Sequence, residues 1–275
     1  MNQLIKNYIK KNIPSRYIEL ITNKGIILTK IPNGSAVISD FFVLRVEQEW
    51  ETYFECLQFQ SLLNAEVNEQ TNIVHFVFYN QNGDYVGEKE VKIETTLKTT
   101  LDVNKIAAEL GIKKDGLFAV FHTHKVNWLN KFKSYLAERG YVGYANKKQG
   151  PIKAFVHGNL DAIAKYHDKS EYQLLGNYSY LEKEFFLQHD LNPNNTYELY
   201  LVNPTNKTQE FLILEKNKKN PNTISISLPP RGSYKYVRTV DKKEKKVNII
   251  IKSKLYLARP VVFKIMPKAF DVFHG

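Results

Sequence analysis

His122 and His124 stand two residues apart at the end of an aromatic and aliphatic run, Phe118-Ala119-Val120-Phe121-His122-Thr123-His124. On a β-strand, residues two apart project from one face, so both imidazoles can hold a single divalent transition metal. A third ligand and an open coordination position would make that centre fit for metal-assisted hydrolysis or oxygenation, with Asp161 as a further ligand or general base. The string returns as Ala154-Phe155-Val156-His157-Gly158 and as Phe270-Asp271-Val272-Phe273-His274-Gly275, which offers His157 or His274 as the third ligand. The rival reading is architectural. Histidines at strand ends commonly bond to backbone in a neighbouring turn, and the first and last copies then mark the closing strands of two β-rich halves, with the middle copy in the bridge between them.

A second cluster lies in that bridge. Arg139, Tyr141, Tyr144, His157, Asn159 and Asp161 are crowded among glycines. Loops that mix glycine with varied polar groups often carry ligand contacts, so these six form the expected ligand-binding surface. The alternative is a linking hairpin whose polar groups satisfy its own backbone.

Other catalytic patterns are missing. The chain has no phosphate-binding Gly-x-x-x-x-Gly-Lys-Ser/Thr loop, no Gly-x-Gly-x-x-Gly and no Gly-x-Ser-x-Gly elbow. Glu49 with Glu51, and Glu182 with Glu184, pair carboxylates on one strand face, a common pattern on solvated strands and weak support for a glycosidase. The single cysteine, Cys56, rules out an intrachain disulfide, and its alternating surroundings read as core. His75 alternates with large apolar residues and is expected on the less buried face of its strand.

The elements that would position these groups are mostly strands. Alternating runs recur at Phe41–Val46, Tyr53–Phe59, Ile73–Phe78, Glu88–Ile93 and Leu117–Phe121, then at Tyr197–Val202, Glu210–Leu214, Thr223–Leu228, Val247–Ile251, Leu255–Leu257 and Pro260–Phe263. Asp102 is placed to cap a helix from Val103 to Leu110 that Gly111 ends, and Asn127 caps a second that Gly140 ends. Residues 2–11 read as a short amphipathic helix, and 17–29 as a hairpin.

The expected fold is mainly β: two antiparallel β-sandwich-like lobes in tandem, suggesting internal duplication, joined by a helix-plus-hairpin segment. Its parts are an N-terminal helix and hairpin (1–35), a first lobe (36–125), a connector (126–170) and a second lobe (171–275).

The formal charge of +11 does not point to nucleic acid. Only six of the 39 basic side chains are arginine, the residue that grips phosphate and base edges with a fork. The lysine runs at 216–219 and 242–246 read as solvated hairpin tips. No apolar stretch reaches the ~18 residues of a membrane span, and no secretory leader is recognisable, so a cytoplasmic protein is expected.

The leading functional expectation is a non-catalytic protein that binds a carbohydrate, a polar small molecule or a protein partner at the junction of the two lobes, with no cofactor. Two alternatives stand beside it: a metal-dependent enzyme built on His122 and His124, and a structural or assembly protein that forms a homo-oligomer by pairing sheet edges.

Overall fold

The computed structural model describes residues 36–57, 72–93, 98–123, 140–150, 152–157, 163–167, 171–175, 178–216, 223–255 and 259–275. The expected N-terminal helix and hairpin, the helix after Asn127, and Arg139, His124, Asn159 and Asp161 lie outside them.

Mainly β was the right class. Among the described residues, four antiparallel sheets have four strands each. Sheet I contains β1 (Ala36–Leu44), β6 (Gly116–Thr123), β3 (Asn72–Tyr79) and β4 (Tyr85–Ile93), in that spatial order. Sheet II contains β5 (Lys98–Asp102), β2 (Trp50–Leu57), β7 (Tyr141–Asn146) and β8 (Lys153–His157). A small hairpin, β9 (Ile163–His167) with β10 (Glu171–Leu175), precedes the second half. Sheet III orders β11 (Tyr178–Phe186), β16 (Ile249–Leu255), β13 (Gln209–Glu215) and β14 (Thr223–Leu228). Sheet IV orders β15 (Ser233–Val240), β12 (Asn195–Val202), β17 (Val261–Met266) and β18 (Ala269–His274). Adding ten to every strand label turns sheet I into sheet III and sheet II into sheet IV, so the two halves share one strand order.

That correspondence reassigns the repeated histidine string. Phe118–Thr123 of its first copy lies in β6, an inner strand of sheet I, whereas Ala154–His157 and Phe270–His274 of the second and third lie in β8 and β18, matching edge strands of sheets II and IV. The middle copy is therefore no bridge; it ends the first eight strands as the last copy ends the second eight. Ile249–Ile251 of the first of the two neighbouring runs, and Leu255 of the second, also belong to one strand, β16.

The expected pair of separate sandwich lobes gives way to four sheets in a propeller-like ring. The reason is visible in β12, which is buried on both faces. Tyr197, Leu199 and Leu201 enter a core shared with sheet III, while Tyr200 and Val202 enter the core of sheets I and II. A strand that alternates between two dry cores cannot belong to one lobe alone. Within the first core, Phe54 of sheet II meets Phe42 and Phe76 of sheet I edge-on at 5.3 and 5.8 Å. Trp50 reaches the other way, to Phe263 and Phe270 of sheet IV, at 5.2 and 5.0 Å.

The helix among the described residues, α1 (Val103–Glu109), begins as its sequence dictates. Asp102 accepts the Lys105 N–H at 3.0 Å, satisfying an otherwise orphaned donor. Val103, Ile106 and Ala107 form its buried side, and Gly111 takes φ +73° just past its end. Asn104 then ties α1 to β2, accepting from Thr52 N–H and donating to the Trp50 carbonyl.

Candidate functional site

Strand alternation gives β2 two characters. Trp50, Thr52, Phe54 and Cys56 point into the core, and Glu51, Tyr53, Glu55 and Leu57 point out, half-buried. Register carries that outer face across the sheet. Glu55 lies opposite Tyr141, which lies opposite His157; Tyr53 lies opposite Gly143, which lies opposite Phe155. On the other side Glu55 faces Thr100 and Tyr53 faces Asp102. Sheet II thus gathers Tyr53, Tyr141, Phe155 and His157 on one surface.

The aromatic groups are held in place by neighbours. Gly143 leaves the space that the Phe155 ring fills, since a Cβ there would stand 2.4 Å from a ring carbon. Phe155 is 40% exposed, a large apolar ring open to water. The Tyr141 and His157 rings meet at 4.4 Å between centroids, tilted by 46°. The Lys153 ammonium lies 3.6 Å from the centre of the Tyr53 ring.

Carboxylates and ammonium groups border the rings. Tyr53 donates its hydroxyl to Glu51 at 2.7 Å, and Lys147 bonds the other Glu51 oxygen at 3.1 Å. Lys98 reaches Glu55 at 2.7 Å. The Tyr53 hydroxyl is the main cause of a Glu51 pKa below the ordinary carboxylate value, with Lys147 and Lys153 adding to it. Burial, helped by Glu51, pushes the Tyr53 phenol up to about 12. An ionised Glu51 accepts hydrogen bonds; it is the opposite of the raised-pKa acid that a glycosidase needs.

His157 leads from this face to the second half. Its carbonyl accepts from Nε2 of His274 at 2.8 Å, which fixes the neutral imidazole with a bare Nδ1. That Nδ1 is buried without a hydrogen-bond partner, as is Nε of the nearby Arg259. Burial first, and the Arg259 charge second, lower the His274 pKa to about 4.

Two other expected residues, Tyr144 and His122, lie elsewhere. Tyr144 is fully buried, donates its hydroxyl to the Val43 carbonyl at 2.7 Å and meets Phe263 edge-on. His122 pairs in register with Val37 and Val74 inside sheet I. Among the described residues, no three His, Cys, Asp or Glu side chains gather as a metal site. His75 is 6% exposed, where the less buried strand face was expected; burial lowers its pKa against the pull of Glu88 and Glu90. Among those residues, too, no helix is long and apolar enough to cross a membrane.

No protein-family profile matches the sequence, and no curated protein matches it. Three solved structures align weakly. A β-glucuronidase from glycoside hydrolase family 2 shows 9% identity over 86% of this chain and 23% of its own, at a TM-score of 0.19. An anti-sigma factor domain-containing protein shows 10% identity over 84% of this chain and 81% of its own, at 0.17. A Lactobacillus farciminis oxalate decarboxylase in complex with formate shows 9% identity over 82% and 75%, at 0.15. The chain spans under a quarter of that β-glucuronidase, and at such scores the alignments establish no common fold.

Three members of the site, Tyr53, Phe155 and Glu55, escape a search for unusual residues because each is ordinary in a strand. Their signal is the alternation of Tyr53-Phe54-Glu55-Cys56. It marks which side faces out, but not which strands lie beside it.

Proposed function

We propose that this chain is a non-catalytic binding protein whose outer face of sheet II takes a neutral carbohydrate. The observation that carries the reading is the grouping of Tyr53, Tyr141 and Phe155 on one face, bordered by equal numbers of acids and lysines. Glu51, Glu55 and Asp102 balance Lys98, Lys147 and Lys153. Flat rings suit the apolar C–H face of a sugar, and ionised groups around them suit its hydroxyls. The zero local balance favours an uncharged ligand over a phosphate or an acidic peptide, despite the basic chain as a whole. His157 of the expected site belongs to this face with Tyr141, and Lys153 would swing off Tyr53 as a ligand arrives.

The shared strand order of the two halves supports reading the chain as an internal duplication, in keeping with the tandem organisation expected from the sequence. A reducing, cytoplasmic setting suits a lone, buried cysteine.

Calorimetric titration against a panel of neutral oligosaccharides tests the function. Binding that Tyr53→Ala and Phe155→Ala each weaken at least tenfold, without loss of fold, supports it. A panel without a binder, or a binder indifferent to both substitutions, rejects it. Binding only to a protein partner would keep the face and change its ligand class.

A further inference from the structure

Four open sheets have eight edge strands, and each exposes backbone groups that can pair with another chain. Most edges here are guarded. β1 has β9 packed beside it, and β8 and β18 lie against each other. β4 carries Glu88, Lys89, Glu90 and Lys92. β5 is five residues long and charged at Lys98 and Asp102. β11 carries Glu182, Lys183 and Glu184, and β15 carries Lys235 and Arg238. Charge on an edge strand opposes the approach of a second strand.

β14 is the exception. Its sequence, Thr223-Ile224-Ser225-Ile226-Ser227-Leu228, contains no charge, proline or glycine. β13 pairs with one side of it, and no described strand pairs with the other. Its counterpart in the first half is β4, so the same place in the strand order is heavily charged in one half and bare in the other.

We propose that β14 is a pairing edge for β14 of a second copy, joining two sheets III into one antiparallel sheet across a two-fold axis. Self-complementarity identifies the occupant. With Ile226 opposite itself at the axis, Ile224 opposes Leu228 and Ser225 opposes Ser227, so apolar meets apolar and hydroxyl meets hydroxyl. Ile224 and Ile226 already lean on the core of sheets III and IV, while Ser225 and Ser227 are exposed. The arrangement is isologous and closes at a dimer, because the opposite edge of sheet III is the charged β11. Six residues bury less than the ~1,200 Å² of a standard stable interface, so the dimer is a weak one. The proposal is independent of the carbohydrate face.

Sedimentation of the full chain from about 1 to about 300 μM tests it, the range in which such a weak interface dissociates. The expected result is reversible dimerisation in the upper half of that range. Ser225→Lys with Ser227→Lys places like charges opposite each other and should weaken the dimer at least tenfold, with an unchanged melting profile showing that the fold survives. Ser225→Lys with Ser227→Glu sets opposite charges across the axis and should restore it. A wild-type chain that stays monomeric throughout, including one that instead captures an unrelated extended peptide, overturns the proposal. So does a dimer that ignores both double variants.

Discussion

The outer face of sheet II and its register equivalent on sheet IV occupy the same place in the two halves, yet one is open and the other is closed. Aligning β8 with β18 on His157 and His274 sets Gly143 against Phe263, Tyr53 against Glu198, and Glu55 against Tyr200. Both faces place a cation over an aromatic ring with carboxylates alongside. On sheet IV the cation is Arg45, fully buried, 4.4 to 5.1 Å from the centres of Trp50, Phe263 and Tyr200. Its Nη1 meets Glu198 at 2.7 Å and its Nε lies 3.0 Å from Asp115, whose same oxygen accepts the Tyr200 hydroxyl. On sheet II the cation is Lys153, which stays in water above Tyr53. Where the face is covered, one guanidinium must answer two carboxylates in a dry site. Where it is open, solvent shares that task and the same chemistry is free to meet a ligand.

The largest expected effect breaks the closed face. Arg45→Met leaves Glu198 and Asp115 buried with no cation between them and should cost about 3–5 kcal/mol in chemical denaturation. Adding Glu198→Gln and Asp115→Asn to that variant should recover part of the loss, since neutral amides have less to lose in a dry site. Lys153→Ala on the open face should leave the melting profile unchanged. Equal behaviour of the two cations would remove the contrast.

Next comes the position where the faces differ most in bulk. Phe263→Ala empties a packed core and should destabilise by about 3–5 kcal/mol. Gly143→Ala forces the Phe155 ring aside, but that ring is exposed and can move, so the cost should be about 1–2 kcal/mol, within the overpacking range. Its stronger effect should fall on ligand binding, because the displaced ring is part of the platform. A Gly143→Ala chain that binds as tightly as wild type would place the ligand elsewhere.

How much of this was legible in the sequence depends on the range of the signal. Local signals served well: Asp102 with Gly111 delimited a helix, and alternation located most strands. Pairing between distant strands left no such mark. Nothing near Arg45 announces that Glu198, 153 residues away, will bond it. The histidine string showed similarity without order, so β6 looked like the partner of β18 until the strand order made β8 its equivalent. Tyr144 looked like a ligand contact because its segment is rich in glycine and tyrosine, but it is an inward residue of β7. β15 was not among the expected strands, although Ser233 to Val240 has strand composition.

The junction between the faces supplies a pH dependence. His274 titrates at about 4 in the fold and at the ordinary value of 6.5 when exposed. Between those values the unfolded chain binds more protons, so stability is fully present above pH ~6.5 and falls as pH drops toward ~4. Burial lowers the His75 pKa as well and adds a loss of the same sign. Unfolding free energies followed from pH 7 to about 4.5, above most carboxylate titrations, should fall by about 1 kcal/mol per pH unit for one such histidine. His274→Gln should flatten that slope in part, and adding His75→Gln should flatten it further. A slope unchanged in both variants would mean that neither histidine is neutral by virtue of burial.

The smallest effect concerns the open face alone. Glu51 accepts the Tyr53 hydroxyl and lies close to its ring, but burial is the greater cause of that phenol's upward shift to about 12. Glu51→Gln should therefore return the Tyr53 pKa only part of the way toward 10, as followed by carbon-13 chemical shifts of the labelled tyrosine ring. Stability should hold, because Lys147, the other partner of Glu51, is solvent-exposed and its ion pair is screened. A full return to 10 would make the carboxylate, and not burial, the governing influence. Tyr53 would then sit in water as an unsupported ring, a poorer platform for a sugar than the half-buried one that β2 builds.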